Sequence, residues 1–146
     1  MAGRQEIGKL TKRELLLVAT ALYWGEGARK ENKKGNPLVL SNSDPRLTAL
    51  FLRFVREILK VPEERIRAGI QLHPNSGVEK ARRFWSSATG LPRDRFYIVT
   101  QVSRASESKR SKNSLPYGTV NIRISKRTLF HKVLGHIEGL CDNIKK

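Results

Sequence analysis

The sequence predicts an α+β fold in which helices cover one face of an antiparallel sheet. Several segments carry apolar residues three or four positions apart, which is typical of helices that bury one face. Other segments alternate apolar and polar residues, which is typical of strands with one buried face. Because the 146 residues contain no repeat and no low-complexity linker, we expect residues 1–146 to form a single domain.

The predicted helices begin at recognisable start signals. Thr11 and Glu14 form a capping box, which begins a helix that runs to about Gly25. Asp44 before Pro45 supplies an N-cap and a proline at the first helical position, so a second helix begins there. The apolar stripes of the four predicted helices cover residues 15–25, 47–58, 78–88 and 129–144.

Four segments are predicted as strands, and we expect the last two to pair across the basic segment 104–112. These strands are Leu38–Asn42, Ile66–His73, Phe96–Val102 and Tyr117–Ser125. In the last three, one face is apolar and the other is polar without Asp or Glu, a composition suited to base edges and phosphates. The candidate DNA-binding residues on that polar face are Arg67, Gln71, His73, Tyr97, Gln101, Asn121 and Arg123.

The charge balance indicates a polyanionic partner. The chain holds 29 Lys and Arg against 13 Asp and Glu, for a formal net charge of +16. This excess favours nucleic acid before a membrane surface. A single cysteine excludes an internal disulfide framework and a Cys-rich zinc site. Segment 1–9 is polar, unlike a signal peptide, and the apolar run 15–25 is too short for a membrane span, which needs about 20 residues. We therefore expect a cytoplasmic protein without membrane contact.

The first predicted helix is apolar on all sides, although one small sheet can cover only one side of it. Ala21 and Gly25 lie four residues apart, on one face, where small side chains permit two backbones to approach closely. The simplest partner is the same helix of a second copy across a two-fold axis. We therefore expect Ala21, Leu22 and Gly25 to form a homodimer contact.

Glu26 stands at the C-terminal end of this helix, where the helix dipole disfavours a negative charge. One interpretation is an ion pair with Arg29 or Lys30. The other is a divalent metal ligand, because two copies of Glu26 would meet near the two-fold axis. Carboxylates suit Mg²⁺, and paired acids with metal ions suit phosphodiester hydrolysis.

The segment Ala19–Gly27 resembles the motif of the LAGLIDADG homing endonuclease family. In that family, small residues at the third and seventh places of the motif pack against the twin helix, and they correspond to Ala21 and Gly25. The acid at the eighth place binds the catalytic metal and corresponds to Glu26. The resemblance implies an αββαββα-like fold with a saddle-shaped antiparallel sheet that contacts the DNA major groove, and it makes residues 78–89 an inserted helix.

The resemblance and the residues together predict a homodimeric, Mg²⁺-dependent endonuclease that cleaves double-stranded DNA at specific sites. Glu26 and the Gly25 carbonyl would bind the metal, a place that Ca²⁺ or Mn²⁺ could also take. Lys126 is the candidate basic catalytic residue, with Arg123 behind it. An alternative is a regulator or RNA maturase on the same fold that binds DNA or RNA without cutting. A third hypothesis is a monomeric, ribosome- or RNA-associated basic protein with an unrelated α+β fold.

Overall fold

The computed structural model describes residues 2–30, 35–100 and 116–144. These residues contain five α-helices and a mixed sheet of four strands, so the predicted α+β class is confirmed. The helices are α1 (Ala2–Ile7), α2 (Lys12–Glu26), α3 (Pro45–Glu57), α4 (Val78–Thr89) and α5 (Arg127–Cys141). The strands are β1 (Leu38–Asn42), β2 (Arg67–Leu72), β3 (Phe96–Thr100) and β4 (Thr119–Ile124).

The strand order is β1-β4-β2-β3, and it corrects two expectations about pairing. Strand β4 pairs antiparallel with both β1 and β2, and β3 pairs with β2 rather than with β4. The β2–β3 pair is parallel, so the expectation of a wholly antiparallel sheet was wrong. The reason is α4, because a helix between two strands returns the chain to the starting end of the sheet and makes the second strand parallel to the first.

The helices pack on one face of the sheet, as the alternation in the strands predicts. Every second residue along β4 is fully buried, as are Leu38 and Leu40 of β1, and the other residues of both strands are partly or fully exposed. The largest fully buried side chains are Trp85, Tyr23, Phe51, Phe54, Phe96 and Phe130. Trp85 donates a hydrogen bond from Nε1 to the Tyr117 carbonyl at 2.8 Å, which satisfies its one polar atom and ties α4 to the start of β4.

Helix α2 is fixed at both ends. The capping box of Thr11 and Glu14 is present at its start. At its end, the Tyr23 hydroxyl donates to the Ala28 carbonyl at 2.5 Å and accepts from the Val39 N–H at 3.3 Å. Gly27 has no side chain, and a Cβ there would overlap the Tyr23 ring. The chain leaving α2 is thus held against β1, which determines where Glu26 lies.

None of the helices in the described part of the chain has the length and apolar character needed to cross a membrane.

Candidate nucleic-acid interface

The sheet face opposite the helices carries polar and basic side chains in cross-strand rows. Read from β1 towards β3, the rows are Val39–Arg123–Arg67, Ser41–Asn121–Gly69–Tyr97 and Thr119–Gln71–Val99. None of these positions holds Asp or Glu. The sequence-predicted residues Arg67, Gln71, Tyr97, Asn121 and Arg123 therefore share one open face. We refer to this set of three rows as the outer sheet face.

One of the predicted DNA-binding residues, His73, lies outside the three rows of this face. Strand β2 ends at Leu72, and His73 is half-buried beyond it. The Nε2 atom of His73 is buried and has no hydrogen-bond partner among the described residues, so it is not offered to a ligand on the outer sheet face. Gln101 lies outside the described residues.

Arg67 and Arg123 are directly opposite each other on neighbouring strands. Like charges in this position repel and destabilise the pairing of the strands. Within the described residues, neither arginine makes an ion pair. Both side chains are exposed, so an anion placed between them would relieve the repulsion and accept charge-assisted hydrogen bonds.

The second row brings together an amide, a glycine and an aromatic ring. Asn121 donates from Nδ2 to the Ser41 hydroxyl at 2.7 Å, which orients the amide on the open face. Gly69 stands between Asn121 and Tyr97. A Cβ at Gly69 would overlap the outer half of the Tyr97 ring, so the ring covers the backbone at this position. Tyr97 remains 46% exposed.

Helix α2 buries only one of its apolar sides. Leu15, Ala19, Thr20 and Tyr23 face the core. The opposite side exposes a set of apolar and small residues that we call the α2 open face: Leu17, Val18, Ala21 and Gly25, with Leu22 half-buried beside them. The predicted dimer-contact residues Ala21 and Gly25 are thus accessible, and no element of the described protomer covers them.

Packing within the described part of the protomer does not require a glycine at position 25. A Cβ at Gly25 would meet no atom within 4 Å, and its φ angle is not positive. A glycine inside a helix destabilises the fold by roughly 0.5–1 kcal/mol relative to alanine, because it loses more backbone freedom on folding. The same open space surrounds Gly135 and Gly139 of α5, so the missing side chain at Gly25 permits a close approach by a second chain but does not require one.

Glu26 is exposed at the end of the α2 open face and has one described polar partner. Asn42 donates from Nδ2 to the Glu26 carboxylate at 3.1 Å. The Oδ1 atom of Asn42 accepts from the Asp44 N–H at 2.8 Å, so the amide is oriented from both sides. The alternative of an ion pair with Arg29 or Lys30 is not seen among the described contacts.

Asn42 was missed from the sequence as a partner of Glu26. The two residues are 16 positions apart, and only the packing of α2 on β1 brings them together. The available signal was the Asn-Ser-Asp-Pro turn, because Asn at such a turn commonly bonds to the backbone two residues on. That bond fixes the amide and leaves its NH₂ group free to donate to a carboxylate.

Lys126 lies away from Glu26 within one protomer. It is the exposed N-cap residue of α5, two residues beyond Ile124, which pairs with Leu38 at the start of β1. Glu26 contacts Asn42, at the other end of β1, four residue steps or roughly 13 Å further along the strand. Lys126 instead lines a cavity of about 230 Å³ with two arginines; the lining residues are Gly35, Asn36, Pro37, Arg123, Ser125, Lys126 and Arg127.

A metal ion at Glu26 would need ligands beyond the carboxylates and imidazoles of one chain. In the described part of one protomer, no three His, Cys, Asp or Glu side chains are grouped as ligands. The Gly25 carbonyl is among the last four of α2, which have no partner inside a helix, and it adjoins Glu26. One carboxylate and one carbonyl from each of two copies would form an all-oxygen site of the kind that Mg²⁺ uses.

Comparisons of this chain with protein-family models, with curated proteins and with solved structures find no match.

Proposed function

We propose that this protein is a homodimeric, metal-dependent endonuclease of the LAGLIDADG type, which cleaves double-stranded DNA at specific sites. The observation that carries the proposal is the α2 open face, which ends on Glu26. A helix that exposes Leu17, Val18, Ala21 and Gly25 and then presents a carboxylate without a described cation is poorly explained by a monomer. A twin helix on this face would cover the apolar side chains and bring two Glu26 carboxylates together.

The order of the elements supports the proposed family. After α2, Gly27 forms an isolated antiparallel bridge with Leu40, and the Ala28 N–H donates to the Val39 carbonyl at 3.0 Å. This short extended segment precedes β1, α3, β2, β4 and α5 once α4 and β3 are set aside. The remaining order is αββαββα, as in the family. Helix α4 and strand β3 then form an addition beside β2, at the edge of the sheet.

The outer sheet face has the chemistry that a DNA-binding surface needs. The DNA major groove admits a β-ribbon, and each base pair there offers a distinct pattern of donors and acceptors. Arg67 and Arg123 suit guanine or phosphate, and the amides of Gln71 and Asn121 suit adenine. The excess of 29 basic over 13 acidic residues provides the sequence-independent attraction to the backbone.

We assign separate roles to Glu26 and Lys126. Glu26, oriented by Asn42, would hold the metal together with the Gly25 carbonyl. Bound Mg²⁺ supplies Lewis-acid stabilisation of the charge that develops on the phosphodiester during hydrolysis. Because Lys126 adjoins Arg123 and Arg127 at the other end of β1, we assign it to a DNA phosphate outside the reacting group.

Cleavage of a plasmid library that carries random inserts tests this function. We expect the wild-type protein with Mg²⁺ to linearise a subset of plasmids, and Glu26→Gln to bind DNA without cutting. Glu138→Gln is the matched control, because Glu138 is an exposed acid on the polar side of α5 and the charge change is the same. Equal cleavage by the wild type and Glu26→Gln would remove Glu26 from the mechanism.

A second candidate function is binding of DNA or RNA without cleavage, on the same fold. The hydrogen bond from Asn42 favours it, because this bond gives the Glu26 carboxylate a structural partner that needs no metal. Tight, salt-sensitive binding of the library by both the wild type and Glu26→Gln, with no cleavage by either, would support this function instead.

A further inference from the structure

An apolar patch interrupts the polar outer sheet face at its β3 edge. Tyr97 and Val99 lie two residues apart on β3 and are each 46% exposed. The other large hydrophobic side chains exposed in the described chain lie outside the sheet: Ile7, Leu17, Val18, Val78 and Ile144. The patch therefore lies among Arg, Gln, Asn, Ser and Thr side chains, and the other apolar residue of the rows, Val39 on β1, is half-buried.

The Tyr97 ring lies over the glycine opposite it. Tyr97 pairs with Gly69 across the β2–β3 register, and any larger residue at Gly69 would collide with the ring. The ring therefore covers the glycine and exposes its remaining surface to solvent. Val99 pairs with the polar residue Gln71 in the next row. Because the Val99 side chain is branched at Cβ, it has few allowed rotamers. Both side chains present apolar surface to solvent at this edge of the sheet.

The charges around the patch fit a polyanion, and the choice of duplex DNA as this polyanion rests on the proposed function. The two rows that contain Tyr97 and Val99 carry no acid, and the row beside that of Tyr97 carries Arg67 and Arg123, which fits a polyanion. Within the major groove, the base edges are polar except for the C5-methyl group of thymine. We propose that Tyr97 and Val99 recognise thymine by burying this methyl group, and that they are specificity-determining residues of this protein.

The position of β3 also indicates where these thymines lie in the target. Helix α2 packs beside β1, and β3 is three strand spacings away, at the opposite edge of the sheet. Three spacings of about 4.8 Å give roughly 14 Å, or about four base pairs of duplex. We therefore expect the methyl contacts towards the two ends of a symmetric target, away from the centre where two α2 helices meet.

Replacing thymine by deoxyuracil tests the proposal, because this change removes the methyl group and nothing else. Targets are first selected from random duplexes with the full chain, and each thymine of the enriched sequence is then replaced separately. We expect binding about fourfold weaker for each contacted thymine, the factor that corresponds to burying one methyl group. Other thymines of the target should show no change.

Two variants separate the ring from the hydroxyl group of Tyr97. Tyr97→Phe should keep the fourfold preference for thymine over deoxyuracil, and Tyr97→Ala should lose it at the same base pair. An enriched target in which no deoxyuracil substitution changes the affinity would overturn this proposal while leaving DNA recognition intact. Failure to enrich any duplex would overturn DNA recognition and this proposal together. Binding of a protein, rather than DNA, at Tyr97 and Val99 would also overturn both.

Discussion

Replacing Gly25 by alanine should have opposite effects on the protomer and on the dimer. In the protomer, a Cβ at Gly25 has open space around it, and alanine is the better helix former. In a dimer joined through the α2 open face, the same methyl group would lie between two helix backbones. The sign of the association change therefore reports directly whether a second copy approaches this glycine.

The magnitudes follow from the position of the residue. Alanine favours a helix over glycine by about 1 kcal/mol in the interior, and Gly25 is the penultimate residue of α2, so the gain is at most that. Such a gain raises the melting temperature of the protomer by at most about 4 °C. Inserting a methyl group into a packed contact costs about 1–3 kcal/mol, which would weaken dimer association about 5- to 150-fold.

Sedimentation equilibrium measures the association constant of the dimer. Thermal unfolding at low protein concentration measures the melting temperature of the protomer. Gly135→Ala is the matched control, because Gly135 lies in α5 and a Cβ there also meets nothing within 4 Å. We expect Gly135→Ala to stabilise the fold and leave association unchanged. If Gly25→Ala behaved in the same way, or if the wild type were monomeric at micromolar concentration, the assignment of the α2 open face to a dimer would be refuted.

Three further predictions concern the fold and the DNA contacts. Gly118→Ala should lower the free energy of unfolding by about 2–4 kcal/mol in urea titrations, because Gly118 has a φ of 70° and a Cβ there would overlap the Gln71 carbonyl. An unchanged urea midpoint would contradict the β2–β4 register. Burial, and secondarily the charge of Lys132, lowers the pKa of His136 below 6.5. Protonation therefore favours the unfolded chain, so the free energy of unfolding should fall as the pH drops below 6.5, and this fall should be smaller in His136→Gln; an equal fall in both proteins would contradict it. Lys126→Gln should reduce the slope of log affinity against log salt concentration by about one in anisotropy titrations. A lower cleavage rate at saturating DNA would instead show that Lys126 acts at the phosphate that is cleaved.

The sequence was most informative where structure is determined locally. The capping box of Thr11 and Glu14 and the Asp44-Pro45 signal depend on residues within one helical turn, and both begin helices as predicted. The alternation of β4 likewise identified its buried face. These features depend on side-chain spacing along the chain, which the sequence displays directly.

The sequence was least informative about contacts between distant segments. The pairing of β3 with β2 depends on the return path through α4, and the alternation within β3 is the same whichever strand lies beside it. The bond from Asn42 to Glu26 and the cover of Gly69 by Tyr97 depend on the exact register of neighbouring elements. The separation of Lys126 from Glu26 also depends on contacts between distant segments, because the two residues lie at opposite ends of β1.

The most direct test of the proposed site is a crystal structure of the full chain with its selected duplex and Ca²⁺. We predict a two-fold dimer joined through α2, with calcium density about 2.3–2.6 Å from the Glu26 carboxylate of each copy and the DNA across the outer sheet face. A dimer joined through another surface, or DNA bound with Glu26 turned to Asn42 and no cation beside it, would contradict the account.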